Sequence, residues 1–176
     1  VAADVADEAS IARLVRTAQE VCGSIDVVVN NAGIGYLEPF QDSDRQRWRE
    51  TIETNLRSQV NLLEAVVAAG LTPRILIACS ADEYGPVKPE SLPILETAPL
   101  RPDSPYAVSK VGQDMLGLQY FLSHGLPVVR LQIAGAHGAA EPQHLIRQCG
   151  AAPSPVKGVE ARAAQAGPLA EAEATQ

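Results

Sequence analysis

The chain has 176 residues, 46% hydrophobic and 20% charged, a composition that suits one soluble domain with a core and excludes disorder, collagen and coiled coil as readings of the whole. Lys and Arg number 14 against 21 Asp and Glu, a formal net charge of −7 that repels phosphate backbones and anionic lipid. Nucleic acid and membrane partners are therefore not expected.

Val1 to Val5 is a short apolar run that reads as a strand, followed by a helix opening at Asp7 or Glu8. In that helix Ile11, Leu14, Val15 and Ala18 recur at i, i+3, i+4 and i+7, and Gly23 supplies a C-terminal stop. Ile25 to Val29 is a continuous β-branched run, the pattern of a strand buried on both faces of a parallel sheet. Asn30 to Gly35 breaks it. Ser43 can cap a long helix from about Asp44 to Ala69, with Trp48, Ile52, Leu56, Val60, Leu63 and Val67 at helical spacing, and Gly70 and Pro73 mark its exit.

Arg74 to Cys79 reads as another buried strand, and the prolines at 86, 89, 93, 99, 102 and 105 preclude regular structure in the loop that follows. A helix is predicted over Tyr106 to Ser123, ended by His124 and Gly125, and a strand over Pro127 to Ile133. Alternating strands and helices predict right-handed crossovers and an α/β, doubly wound parallel sheet with helices on both faces. From Ala134 the pattern decays, and residues 151–176 are about one-third alanine. The expected division is residues 1–135 as the ordered domain and 136–176 as a low-complexity, disordered or weakly helical tail.

Cys22, Cys79 and Cys149 are odd in number and widely spaced, which favours buried thiols over disulfides or a zinc site. His124, His137 and His144 lack metal-ligand spacing, so no metal is expected. No charged-then-apolar leader opens the chain, which points to the cytoplasm. The first residue is Val1 and the one methionine is Met115, so a fragment or processed form is expected.

The strongest chemical signal is Tyr106-Ala107-Val108-Ser109-Lys110. At i and i+4 of a helix the phenol and the ammonium share a face, where the cation can lower the phenol pKa and let it exchange a proton with a carbonyl or alcohol. Ser80 stands at the C-terminal end of a predicted parallel strand, where open α/β sheets collect ligand-binding groups, and its hydroxyl could polarise the same oxygen. Asn30 and Asn31 read as backbone braces, and Asn55, in mid-helix against propensity, reads as either a brace or a functional group.

With these residues the chain resembles the short-chain dehydrogenases/reductases over roughly residues 1–135, through Asp4-Val5, the Ile25 to Gly33 stretch, Asn55, Ser80 and the Tyr106 to Lys110 motif. The resemblance implies a Rossmann-like fold with NAD or NADP as cofactor. It implies Tyr106 as catalytic acid/base, Lys110 lowering its pKa and holding the nicotinamide ribose, and Ser80 orienting the substrate oxygen. It further implies Asp4 at the adenine, Asn31, Ala32 and Gly33 lining the cofactor, and Asn55 in a proton relay. Residues 26–57 look like the classical single-domain reductases. Residues 61–133, with Asn61 to Ala65, the Ser80 to Gly85 run and Glu96 to Lys110, look like the extended branch of dehydratases and 4-keto reductases acting on GDP-sugars. In that branch Asp82 or Glu83 gains meaning as a carboxylic acid beside Ser80, although Glu83 reads equally as a solvated loop charge.

No glycine-rich phosphate loop occurs in the sequence, and Ala134 to Ala139 stands where the branch has an asparagine and a Gly-Pro turn. The expectation is a dinucleotide-binding sheet that lacks its first two strands, with an apolar edge that promotes self-association or low stability. Three functions remain open at this point: nucleotide-sugar hydride transfer, reduction of a small carbonyl substrate, and a catalytically silent remnant.

Overall fold

A computed structural model describes residues 1–36, 44–133 and 144–148. Three parallel strands, β1 (Val27–Asn30), β2 (Arg74–Ser80) and β3 (Val128–Ile133), lie in that order, with β4 (His144–Gln148) antiparallel to β3. Register fixes the strand ends: Asn30 pairs with Ile77, and Ser80 pairs with Ile133. β4 falls within the stretch expected to be a tail.

Four helices connect this sheet. α1 (Glu8–Cys22) starts where the Asp7 carboxylate accepts from the Ser10 N–H, and it ends at Gly23, whose φ of 75° releases the chain from the helix. α2 (Arg45–Ile52) is capped by Asp44, whose carboxylate accepts from Gln46 N–H; Ser43, the predicted cap, lies outside the described residues. The predicted continuous helix is interrupted by a π-turn at Glu53–Arg57 before α3 (Ser58–Ala68) resumes. α4 (Pro105–His124) has Ser104 as its N-cap and Pro105 in its first turn, and Gly125 closes it in the left-handed region. In the proline-rich loop two short 3₁₀ turns form, at Ala81–Tyr84 and Pro89–Ser91.

The core lies where α3 and α4 cover one sheet face. Leu63 and Val66 of α3 and Tyr120 of α4 pack on Ile75, Ile77 and Cys79 of β2 and on Val128 of β3. The Tyr120 hydroxyl also donates to Glu64, tying α4 to α3.

Val1 to Val5 is not a strand: the Asp4 carboxylate accepts from Ala6 N–H two residues on, and this local turn replaces strand pairing. The Val5 carbonyl accepts instead from Asn61 Nδ2 on α3. The Ile25 to Val29 run is not buried on both faces either. β1 is the edge strand of the described sheet, and while Val28 packs against the core, Val27 and Val29 are 53% and 59% exposed. Side chains alternate across a strand, and an apolar run does not itself specify what covers its second face. Among the described residues, no helix is long and apolar enough to cross a membrane.

Candidate active site

Three elements converge at the C-terminal ends of the parallel strands. Ser80 is the last residue of β2 and is buried; its hydroxyl accepts from Asp82 N–H at 3.2 Å and so caps the 3₁₀ turn. Glu83 closes the reciprocal bond, its carboxylate accepting from Ser80 N–H at 3.0 Å. Glu83 is 0% exposed, so the solvated-charge reading is overturned: reach-back to the Ser80 amide draws it inward. Asp82 stays exposed on the same turn.

Tyr106 and Lys110 project from the first turns of α4. Ser80 is the polar neighbour that acts to lower the Tyr106 phenol. Lys110 is only 4% exposed, and its Nζ donates to the Ala78 carbonyl at 2.7 Å while standing 5.6 Å from the centre of the Tyr106 ring. Burial pushes the phenol above its usual value, the Ser80 hydroxyl pulls it down, and Asp82, Glu83 and the Cys79 thiol push it up. Burial likewise pushes the Lys110 ammonium below its usual value, against the opposing pull of Cys79 and Glu83. The phenol thus rises where the sequence predicts a fall: desolvation of the anion is the largest influence on it.

Asn55 sits in the π-turn, fully buried. Its Oδ1 accepts from Ile34 N–H at 2.7 Å, and its Nδ2 donates to the Ile34 carbonyl at 2.8 Å and to Ser109 Oγ at 2.9 Å. The brace reading of this residue is therefore realised in its side chain. Asn30 pairs with a side chain instead of bracing backbone, its Nδ2 donating to Gln59 Oε1 at 3.2 Å.

The loop held by Asn55 brings Gly33 to the site. A Cβ on Gly33 would lie 3.2 Å from Asn55 Oδ1 and 3.5 Å from Lys110 Nζ. Asn31 and Ala32 are exposed just before it. Gly35, which the sequence reading passed over, lies against the catalytic candidate itself: a Cβ there would come within 2.7 Å of Tyr106 Cδ2. Gln113 was also missed, although it lies at i+7 from Tyr106 and i+3 from Lys110 on one helical face. The structure thus gathers Ser80, Tyr106, Lys110, Asn55 and Gly33, with Asp82 at the rim. Asp4 is not drawn into this group, since its exposed carboxylate serves the turn before α1. Among the described residues no cluster of side chains could hold a metal ion.

As chemistry, a protonated phenol beside a hydroxyl and an ammonium can bind a carbonyl oxygen and deliver a proton to it. A family model described as GDP-mannose 4,6 dehydratase matches residues 1–149. GDP-6-deoxy-D-mannose reductase from Pseudomonas aeruginosa is 38% identical over 105 residues, covering 59% of this chain and 33% of that protein. The structure of RMD from Pseudomonas aeruginosa complexed with NADPH matches with a TM-score of 0.61 at 32% identity, over 73% of this chain and 40% of that one. DesIV, a dTDP-glucose 4,6-dehydratase from Streptomyces venezuelae with NAD bound, matches with a TM-score of 0.57 at 30% identity, over 71% of this chain and 34% of that one. The chain spans about a third of the length of the curated relatives it matches. The fold shared with these structures is Rossmann-like.

Proposed function

Because the chain belongs to the GDP-mannose 4,6-dehydratase family, we propose that it serves NAD(P)-dependent hydride transfer on a nucleotide-linked sugar, with Tyr106 as proton donor. The observation that carries the reading is the convergence of Ser80, Tyr106 and Lys110 at the ends of the parallel strands. The residues present suit a dinucleotide. Gly33 leaves bare backbone beside Asn55 and Lys110, where a Cβ would narrow the cradle, and among the described residues the Lys110 ammonium gives one hydrogen bond, to Ala78. Bound NADH or NADPH would supply the hydride that reduces the carbonyl carbon.

Tyr106 gives its proton to the oxygen that gains charge, Ser80 holds that oxygen, and Lys110 binds the cofactor ribose. Asn31, Ala32 and Gly33 line the cofactor, Asn55 supports reprotonation of the phenol, and Asp4 takes the adenine end. Asp82 is the carboxylic acid available for proton transfer at the rim. The preferred substrate is a GDP-linked 4-keto-6-deoxy sugar, supported by the likeness to the Pseudomonas reductase and by the Ser80 to Gly85 sequence.

Calorimetric titration of NADPH and of NADH tests this reading. Micromolar binding is expected for at least one, weakened about tenfold or more in Lys110→Met, a loss of roughly 1.4 kcal/mol; absence of binding by both would overturn it. Faster turnover of simple ketones than of the nucleotide-sugar would transfer the assignment to a small-carbonyl reductase.

A further inference from the structure

A chain of buried carboxamides runs from the sheet to the loop against Tyr106. Asn30 Nδ2 donates to Gln59 Oε1, and Gln59 Nε2 donates to the Gln113 carbonyl of α4 at 2.7 Å. Gln113 Nε2 in turn donates to the Asn55 carbonyl at 2.6 Å. Gln59, Gln113 and Asn55 are each 1% exposed or less. The Asn55 carbonyl is available to a side chain because the helix widens into a π-turn there, which alters the ordinary pairing of its carbonyls. Gly112 makes the approach possible, since a Cβ on it would strike Leu56 Cδ1 at 2.8 Å.

From Asn55 the connection reaches the phenol by two routes. Its carboxamide holds both the N–H and the carbonyl of Ile34, which places the next residue, Gly35, against the Tyr106 ring. It also donates to Ser109 Oγ, which donates to the Tyr106 carbonyl at 2.7 Å. We propose that Gln113 is a positioning residue for Tyr106: it anchors the π-turn, and the anchored Asn55 holds Ile34 and Gly35 as a backstop that keeps the phenol on Ser80. Gln59 braces Gln113 from behind. The proposal rests on the reading of Tyr106 as the proton donor, but its geometric content is measurable without turnover.

The test uses the chain labelled at the tyrosine ¹³Cζ, with the Tyr106 resonance identified by its loss in Tyr106→Phe. Near neutral pH, Ser80→Ala is expected to displace this resonance in the parent, because it removes the hydroxyl that acts on the phenol. In Gln113→Leu, and separately in Gly35→Ala, the same Ser80→Ala change is expected to displace it by less than half as much. This is a double-mutant coupling that loss of stability alone does not produce. Equal displacement in all three backgrounds, or none in the parent, overturns the proposal. Gly35 is exposed, so Gly35→Ala keeps the test available if Gln113→Leu does not fold. Failure of the functional reading shows separately, as absence of cofactor binding while the resonance coupling persists.

Discussion

Tyr106 and Lys110 are one helical turn apart, and burial moves their proton affinities in opposite directions. The raised phenol stays protonated at neutral pH, the form that donates. Rising pH therefore removes reductive activity only as the phenol titrates, above its ordinary value of 10.0. The Ser80 hydroxyl acts against that rise, so Ser80→Ala is predicted to move the alkaline limb of the pH–rate profile upward while lowering the rate; a downward move would contradict the arrangement. The placement of Ser80, Tyr106 and Lys110 together was legible because helix spacing and a strand end set it. Gly35 and Gln113 were not. The partner of the Gln113 carboxamide lies 58 residues away, and no local pattern carries that pairing. The solvated reading of Glu83 failed because a carboxylate in a polar loop has no outward sign that its own turn will enclose it.

Among the elements, α4 is tied to the sheet by buried polar contacts. Its Asp114 carboxylate accepts from Arg130 of β3 at 2.8 Å and from Gln132 Nε2 at 3.0 Å, all buried. Removing one partner of a buried ion pair leaves an uncompensated charge, so Asp114→Asn is predicted to cost about 3–5 kcal/mol in urea unfolding. Gly117 lets the same helix close on the sheet: a Cβ would lie 2.7 Å from Ile77 Cδ1 and 3.2 Å from Val128 Cγ1. Gly117→Ala should destabilise by about 1–3 kcal/mol, read as a lower urea midpoint at unchanged slope. Helix and strand order was legible from apolar periodicity. The π-turn was not, because the apolar positions from Trp48 through Ile52, Leu56 and Val60 to Leu63 keep spacings of four or three residues that a regular helix also shows. Edge and interior strands share the same β-branched composition, so the exposure of Val27 and Val29 was legible only through the expected loss of neighbouring strands, not from the run itself.

For the molecule as a whole, burial raises the Cys79 thiol far above its ordinary value of 9.0, and it raises the Tyr106 and Tyr120 phenols above 10.0. The folded state then holds more protons than the unfolded chain once pH passes the ordinary values, so stability falls as pH rises. Lys110, held low by burial, contributes with the opposite sign. Three groups against one predict a thermal midpoint that declines above about pH 9, with a shallower decline in Cys79→Ala; a midpoint flat to higher pH would contradict it. At this scale the sequence conveyed the alternation of strand and helix and the parallel sheet, because both follow from patterning. It did not convey β4, which lies in a stretch lacking long apolar runs and is ordered through pairing with β3.

In the proposed reaction Tyr106 delivers the proton in a nicotinamide-dependent reduction. The direct measurement is oxidation of NADPH or NADH, followed by absorbance, with a GDP-linked 4-keto-6-deoxy sugar in the parent and in Tyr106→Phe, alongside the cofactor affinity of each. The account predicts a loss of roughly 100-fold or more in rate for Tyr106→Phe with cofactor affinity little changed. Parental turnover in Tyr106→Phe would contradict it.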